Sequence, residues 1–358
     1  MASADILLPS TATPWPSPSD TTPAPTNPPL SNDATTDNDP FDPQKHLNFT
    51  PPTKVYTMKD IHLPPDTGVS PLAVSEPFPL FTPAAIQRMR AEVLSHDVLT
   101  RCQYSSNLAQ AQLRGYADKY APFVYDAWKH PSTLAAVSQV AGIDLTLQFD
   151  FEIGHINLSF KTEEQKQREL RAYLEGIKTN TPTDDMPIVG WHRDSYPFVC
   201  VTMLSDCREM IGGETALRMG NGEVLKVRGP QMGHAVVLQG RYIEHQALRA
   251  LGSAERITMV TSYRPRSPRV RDDTVLTTVR PISDLSELYY QFAKYRLEIL
   301  EERIREQLRE LVDAKTAGRK VATKKLKAFL AEQEHFLAHT NREMVEEDEV
   351  DKGAIASH

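Results

Sequence analysis

The spacing of apolar residues divides the chain into a helical start, a β-rich middle and a helical end. A first helix is predicted after Thr82 as N-cap and Pro83 as first helical residue. Its apolar face comprises Ile86, Met89, Val93 and Leu94. Between residues 145 and 153, apolar side chains alternate with more polar ones, which predicts a half-buried strand.

Short strands are predicted to follow one another closely in the middle of the chain. The predicted strands span residues 196–204, 214–219, 223–227, 235–238, 242–245 and 256–263. Asn221-Gly222, between two of these strands, predicts a tight type I′ hairpin. Many short antiparallel strands with glycine-marked turns favour a double-sheet jelly roll or a barrel.

Two helix-forming stretches complete the pattern. Residues 161–187 form a charged insertion that breaks the β pattern and is expected either to cover a functional site or to lie on the surface away from it. Residues 281–340 are predicted to form two amphipathic helices, the first capped by Asp284. These helices are expected to pack on the β-rich part of the chain or on a partner subunit. A homodimer formed through them is one such arrangement.

Composition sets the boundaries of the folded part. Residues 1–50 are rich in Pro, Ser and Thr and predict a disordered tail, and residues 341–358 predict an acidic disordered tail. The domain proper is therefore placed at 51–280, including the insertion.

The charge and the apolar content exclude several classes of partner. A net charge of −7 gives no bias toward nucleic acid. No apolar run is long enough for a membrane span and no signal-peptide pattern opens the sequence, so a cytoplasmic protein is expected. The three cysteines form no CxxC pair and are expected to be reduced thiols. No nucleophile elbow or Walker loop is present.

Of the eleven histidines, only His192 is followed two residues later by an acid, Asp194. On a strand, residues two apart share a face, so both side chains can reach one ion. A second imidazole, His245, lies 51 positions beyond Asp194 at the predicted end of a strand. Two histidines and one carboxylate form the ligand set that leaves positions open on iron(II). His155 and His234 have no such neighbour and are interpreted as structural histidines.

A carboxylate-binding pair follows the second histidine. Arg256 comes eleven residues after His245, and Thr258 shares its strand face. A guanidinium presents a planar fork of donors that suits a carboxylate, and a neighbouring hydroxyl adds a further contact.

At this point the sequence resembles the iron(II)/2-oxoglutarate-dependent dioxygenase superfamily, whose pattern is His-x-Asp, a distal His, and Arg-x-Ser or Thr about eleven residues later. Gly212-Gly213-Glu214-Thr215 is similar to a turn between core strands of the prolyl-hydroxylase-like members. Residues 233–240 are similar to the strand before the distal histidine, with His234 where the family often has Asp. Asn157 stands where many members place a polar co-substrate contact.

The resemblance implies an α+β fold with a double-stranded β-helix (jelly-roll) core and flanking helices. It also implies Fe(II), 2-oxoglutarate as co-substrate and O2, with succinate and CO2 released. Because Asp194 is present, the halide site of the halogenating relatives is not expected. Hydroxylation, desaturation and oxidative cyclisation stay open.

The substrate class implied by the resemblance is a small molecule. Fungal relatives of this type tailor amino acids or products of secondary metabolism. The alternatives are a protein side-chain hydroxylase and a non-catalytic interaction protein that uses the C-terminal helices.

Overall fold

The computed structural model describes residues 39–107, 111–179, 187–229 and 231–355, and Pro40–His358 forms one compact unit. Most of the predicted N-terminal tail, residues 1–38, lies outside the described residues. Its last part is ordered, because residues 43–46 form a helix and Phe41 is buried in the main apolar core. The predicted tail boundary at residue 50 was therefore too late.

Most helices of the described chain lie before residue 142 or after residue 284, and one lies between them. They are α1 (Pro43–His46), α2 (Pro83–Val93), α3 (His96–Arg101), α4 (Ala117–Tyr120), α5 (Pro122–Lys129), α6 (Pro131–Ala141), α7 (Glu163–Thr179), α8 (Leu285–Thr316) and α9 (Thr323–Glu343). Helix α2 begins as predicted, since the Thr82 side chain accepts a hydrogen bond from the Ala85 N–H and Pro83 occupies the first turn.

The strands are short apart from the last one. They are β1 (Val55–Thr57), β2 (Leu72–Ser75), β3 (Phe78–Pro79), β4 (Gln103–Tyr104), β5 (Gln112–Leu113), β6 (Leu145–Leu147), β7 (His155–Phe160), β8 (Pro187–His192), β9 (Phe198–Met203), β10 (Ile211–Gly212), β11 (Thr215–Arg218), β12 (Val224–Val227), β13 (His234–Leu238), β14 (His245–Leu248), β15 (Ala250–Leu251) and β16 (Glu255–Pro265).

These strands form one large and two small sheets. The large sheet follows the order β1-β2-β13-β9-β16-β7-β5-β4, with β3 beside β13 and β6 beside β16. The four-stranded sheet follows the order β12-β11-β14-β8, and β10 pairs with β15. Strand β16 runs antiparallel to β9, β7 and β6 and so joins most of the large sheet. The chain thus combines helices with antiparallel sheets, as expected.

Two local predictions are corrected. The predicted strand over 145–153 is interrupted, because β6 ends at Leu147 and Asp150–Glu152 form a 3₁₀ turn. The Asn221-Gly222 hairpin is present between β11 and β12, but only Gly222 has positive φ, at 87°. The Gly222 N–H donates to the Met219 carbonyl, which gives a type I turn followed by a left-handed glycine instead of a type I′ turn.

The insertion contains helix α7, which is followed by residues outside the described ranges. Its start is attached to the sheet region, since the Lys161 ammonium forms an ion pair with Glu169 and donates to the Ala250 carbonyl in β15 at 2.8 Å. Whether α7 covers the site stays a prediction.

The C-terminal helices pack on the sheet domain through a second apolar cluster. Asp284 caps α8 as predicted, by accepting from the Glu287 N–H. The cluster comprises Phe149, Phe151, Tyr196, Leu276, Val279, Leu285, Leu288, Phe292, Tyr295, Ile299 and Phe336. The outer side of α8 exposes Tyr290, Leu297, Ile304, Leu308 and Val312. A homodimer through these helices stays a prediction.

The predicted acidic tail is corrected where the structure describes it. Helix α9 continues to Glu343, and Ile355 is buried. The Asn107 side chain forms two hydrogen bonds with the Ile355 backbone, at 2.9 Å each. Of the helices in the described part of the chain, none combines the length and apolar character needed to cross a membrane.

Candidate metal centre

Three side chains of metal-binding type meet where two strands of the four-stranded sheet pair. His192 is the last residue of β8 and lies opposite His245, the first residue of β14. Asp194 lies between the two imidazoles, 3.5 Å from His192 Nε2 and 3.6 Å from His245 Nε2. One ligand atom of each residue lies within 4.8 Å of the others. This distance allows all three to reach a single ion.

The position of Asp194 differs from the prediction that it shares a strand face with His192. Strand β8 ends at His192, and Asp194 lies just beyond it. Its backbone N–H donates to the Gly240 carbonyl at 3.0 Å. A Cβ atom on Gly240 would lie only 1.8 Å from Asp194 Oδ2. The carboxylate is therefore held by a turn that only glycine can form without displacing it.

His245 also differs from its predicted place, since it begins a strand instead of ending one. Residues 242–244, predicted as part of that strand, form a turn. The turn brings the Ile243 carbonyl within 2.9 Å of His245 Nδ1.

Both imidazoles are oriented by backbone carbonyls. His192 Nδ1 lies 2.7 Å from the Gly190 carbonyl oxygen, and His245 Nδ1 lies 2.9 Å from the Ile243 carbonyl oxygen. A carbonyl only accepts, so each Nδ1 carries the proton and donates it. Each Nε2 then keeps its lone pair on the side of Asp194. This outer hydrogen bond is the usual way in which proteins orient histidine ligands to a metal.

The charges of the three groups fit a cation between them. Burial lowers the pKa of His245, although Asp194 opposes this shift. Burial would raise the pKa of Asp194, but the two histidines lower it below its usual value. The pKa of His192 is raised in spite of burial, because Asp194 and the Gly190 carbonyl favour its charged form. A bound cation needs the carboxylate ionised and the imidazoles neutral, and competes for the same lone pairs as the proton.

A wall of the large sheet faces this cluster. In β16 and β7, Thr258 is opposite Asn157 and Val260 is opposite His155, so these side chains share a face. His155 is close enough to Asp194 for each group to shift the pKa of the other. The opposite face belongs to the main apolar core, through Ile156, Ile257 and Met259. The polar face of β16 and β7 is therefore the one turned toward the candidate metal ligands.

Arg256 lies on that polar face, opposite Ser159. Its Nε atom is buried and has no hydrogen-bond partner among the described residues. Burial lowers the pKa of the guanidinium, which is only partly offset by nearby Cys207. A half-buried cation with an unused, buried donor fits a carboxylate ligand, because a buried donor is costly without an acceptor. Thr258, two residues further on the same face, is also buried.

A second group of polar residues lies beside the site, and sequence patterns did not reveal it. His155, interpreted as a structural histidine, contacts Arg114, Gln112 and Asn157. Arg114 in turn forms a buried ion pair with Glu152. The β alternation would have placed His155 and Asn157 on one face. No local signal links them to Gln112 and Arg114, which come from the separate strand β5 and the residue after it.

Two glycine-marked segments noted in the sequence lie where they support these strands. Gly212, the last residue of β10, and Gly213 both have a φ of 79° and lead into β11, which pairs with β14. Residues 234–238 form β13, and Gly240 follows it.

No protein-family model matches the chain, and no curated protein sequence matches it. Among solved structures, a prolyl-4-hydroxylase from Pseudomonas putida matches 52% of this chain and 88% of its own, at 13% identity and a TM-score of 0.33. A 2OG-Fe(II) oxygenase family oxidoreductase from Burkholderia pseudomallei matches 46% of this chain and 74% of its own, at 14% identity and a TM-score of 0.32.

The epimerase SnoN, in complex with Fe3+, alpha ketoglutarate and nogalamycin RO, matches 52% of this chain and 86% of its own, at 13% identity and a TM-score of 0.31. At these identities and TM-scores, the likeness by itself decides neither reaction nor substrate.

Proposed function

We propose that this protein is an iron(II)- and 2-oxoglutarate-dependent oxygenase that oxidises a small molecule. His192, Asp194 and His245 would hold the iron. The observation that carries this proposal is the convergence of two imidazole Nε2 atoms on one carboxylate, with both Nδ1 atoms engaged by backbone carbonyls. Three protein ligands of this kind leave coordination positions open for co-substrate and oxygen.

Arg256, with Thr258 and Asn157, would hold 2-oxoglutarate. The supporting observation is the buried, unpartnered Nε of Arg256 on the same sheet face as the other two residues. When bound, iron(II), 2-oxoglutarate and O2 would supply the oxidising power, with succinate and CO2 as by-products. The chain's own contribution is to orient the carboxylates and to keep water out of a largely buried site.

The two antiparallel sheets support a double-stranded β-helix (jelly-roll) as the architecture that carries this site. The two histidines come from the four-stranded sheet, with Asp194 just beyond it, and the carboxylate-binding wall comes from the large sheet. A ligand held between two sheets in this way is typical of jelly-roll enzymes. The domain proper is proposed to include Phe41 and helix α1 and to extend to residue 280, with the insertion and C-terminal helices attached.

The substrate class is proposed as an amino acid or another small metabolite, in line with the resemblance of the motifs. Hydroxylation, desaturation and oxidative cyclisation are all compatible with the ligand set. We propose a small molecule, and not a protein side chain, as the substrate.

The test is anaerobic addition of iron(II) and 2-oxoglutarate to the purified protein, monitored through the weak visible charge-transfer band of the chelate. We expect the band in the wild type and its loss in His245→Ala. Arg256→Met should raise the 2-oxoglutarate concentration that gives half of the full band by about one to two decades, since a lost charge-assisted contact costs about 1.5 to 3 kcal/mol.

Arg266→Met is the matched control, because Arg266 follows β16 directly and forms an exposed ion pair with Asp144. It should leave the titration unchanged. Absence of the band in iron-loaded wild type, or an unchanged titration in Arg256→Met, would contradict the proposal. A protein that binds neither iron nor 2-oxoglutarate would fit the non-catalytic alternative.

A further inference from the structure

A buried ion pair lies behind the polar wall of the candidate site. Arg114 and Glu152 contact each other, and both side chains are almost fully buried, at 1% and 2% exposure. The Tyr196 hydroxyl donates to the same Glu152 oxygen at 2.8 Å. Burying two charges requires a large loss of hydration, which an ion pair often fails to recover in full. The pair is therefore expected to add little to the stability of the fold, and its other contacts indicate a different role.

Arg114 determines which nitrogen of His155 carries the proton. The Arg114 Nη1 atom lies 2.6 Å from His155 Nδ1. A guanidinium can only donate, so Nδ1 must accept and the proton of the neutral ring must be on Nε2. Burial, followed by the charge of Arg114, lowers the pKa of His155 to about 3. The ring is therefore neutral at physiological pH.

The other tautomer has one contact in its favour, since Gln112 Nε2 lies 3.2 Å from His155 Nε2 and could donate there. That tautomer would set an Nδ1–H group against the Arg114 N–H at 2.6 Å. The contact with Arg114 is shorter and charge-assisted, and such contacts are about twice as strong as neutral ones. The Nε2–H tautomer prevails for this reason.

The neutral ring then orients Asn157. His155 Nε2 donates to Asn157 Oδ1 at 3.4 Å, and Gln112 Nε2 donates to the same oxygen at 3.3 Å. With its oxygen taken by two donors, the amide must turn its NH2 group away from them. Within the described ranges, no protein group accepts from Asn157 Nδ2. Asn157 shares its sheet face with Thr258.

We propose that Glu152, Arg114 and His155 form a positioning relay that fixes the Asn157 amide with its NH2 group directed at an oxygen of 2-oxoglutarate. The proposal rests on the proposed co-substrate role of Asn157 and adds the three residues behind it. None of these three needs to touch the co-substrate. In this relay, the buried Arg114–Glu152 ion pair fixes the tautomer of His155, and that tautomer fixes the orientation of the Asn157 amide.

The first test is the tautomer of His155, read by long-range proton–nitrogen NMR of histidine-labelled, zinc-loaded protein. The His155 signal is assigned by its loss in His155→Gln. We expect the Nε2–H pattern from pH 6 to 8 in the wild type. In the double variant Arg114→Met/Glu152→Gln, which removes both charges together, we expect a mixed or reversed pattern. An Nδ1–H pattern in the wild type, or no change in the double variant, would overturn the relay.

The second test is a double-mutant cycle on anaerobic 2-oxoglutarate binding. Asn157→Leu and His155→Leu should each weaken binding by about one to two decades, the size of one hydrogen bond to a charged group. The double variant should bind 2-oxoglutarate no more weakly than Asn157→Leu alone, because His155 acts only through Asn157. His155→Gln should keep most of the affinity, since its amide can still donate to Asn157.

Lys129→Met is the control, because Lys129 forms a partly exposed ion pair with Asp150 on the same 3₁₀ turn as Glu152. It should not change the affinity. Fully additive losses, or full affinity in His155→Leu, would refute the proposal. If the iron-loaded wild type does not bind 2-oxoglutarate at all, the proposed function fails, whereas the NMR measurement still decides the tautomer relay.

Discussion

At the scale of single residues, the metal centre depends on a glycine that carries no ligand. The Gly240 carbonyl accepts the Asp194 N–H, and the space where its side chain would begin is filled by the Asp194 carboxylate. The contact is with a short side chain on a fixed backbone, so it cannot relax by a small rotation alone. Any residue other than glycine must displace the carboxylate or the turn.

Gly240→Ala is therefore expected to reduce iron(II) affinity by about 10- to 100-fold, the usual effect of disturbing the support of a metal ligand. The measurement is an anaerobic iron titration combined with thermal unfolding of the metal-free protein. Gly190→Ala serves as the control, because a Cβ atom there would meet nothing within 4 Å and the carbonyl that orients His192 is kept. Equal affinity in both variants would argue against this role of Gly240.

At the scale of elements, the start of helix α7 is joined to the sheet region. Lys161 links Glu169 in the first turns of α7 to the Ala250 carbonyl in β15. The rest of the helix is mostly exposed where its side chains are described. A helix whose described side chains are mostly exposed can move without disrupting much packing, which is the property that a cover over the site needs.

The cover hypothesis predicts that amide exchange across α7 slows when iron(II), 2-oxoglutarate and substrate are bound. Residues 180–186, in the rest of the insertion, lie outside the described chain. In Lys161→Met, exchange across α7 should rise in the free protein, because the contacts of Lys161 with Glu169 and with the Ala250 carbonyl are lost. Lys166→Met, which removes only ion-pair contacts of 3.8 Å, should have a smaller effect. Unchanged exchange in a fully bound site would leave α7 as surface decoration.

At the scale of the whole molecule, one arginine connects the C-terminal helices to the loop after β16. Arg296 is buried, lies 3.5 Å from the centre of the Phe336 ring and forms an ion pair with buried Asp272 at 3.3 Å. It also donates to Thr340 in α9 and to the Asp272 carbonyl. The same helices cover Tyr196, whose hydroxyl binds the Glu152 of the proposed relay. Docking of α8 and α9 is thus expected to support the site from behind.

Arg296→Met should destabilise the protein by about 3 to 5 kcal/mol, because it leaves Asp272 as an unpaired buried charge. Urea unfolding followed by circular dichroism measures this change. Arg305→Met is the matched control in the same helix, since Arg305 and its partner Glu301 are both exposed, and a change within about 1 kcal/mol is expected. A similar loss of unfolding free energy in both variants would show that the buried Arg296–Asp272 pair stabilises the protein no more than an exposed pair does.

The sequence by itself determined those features whose cause is local. The cap and first turn of α2 follow from Thr82 and Pro83, and the cap of α8 follows from Asp284. The order His-x-Asp, distal His and Arg-x-Thr identified the residues that surround the candidate site. These patterns are visible because the residues that interact lie a few positions apart or carry rare chemistry in a recognisable order.

Tertiary structure decided what depends on residues far apart in the chain. The ends of the folded unit could not be found from composition, because Phe41 and Ile355 are held by contacts with distant segments. Asp194 owes its position to Gly240, and His155 owes its tautomer to Arg114, 41 residues earlier. Composition and periodicity average over neighbours in sequence, whereas a buried hydrogen bond or a missing Cβ acts only between groups that folding has brought into contact.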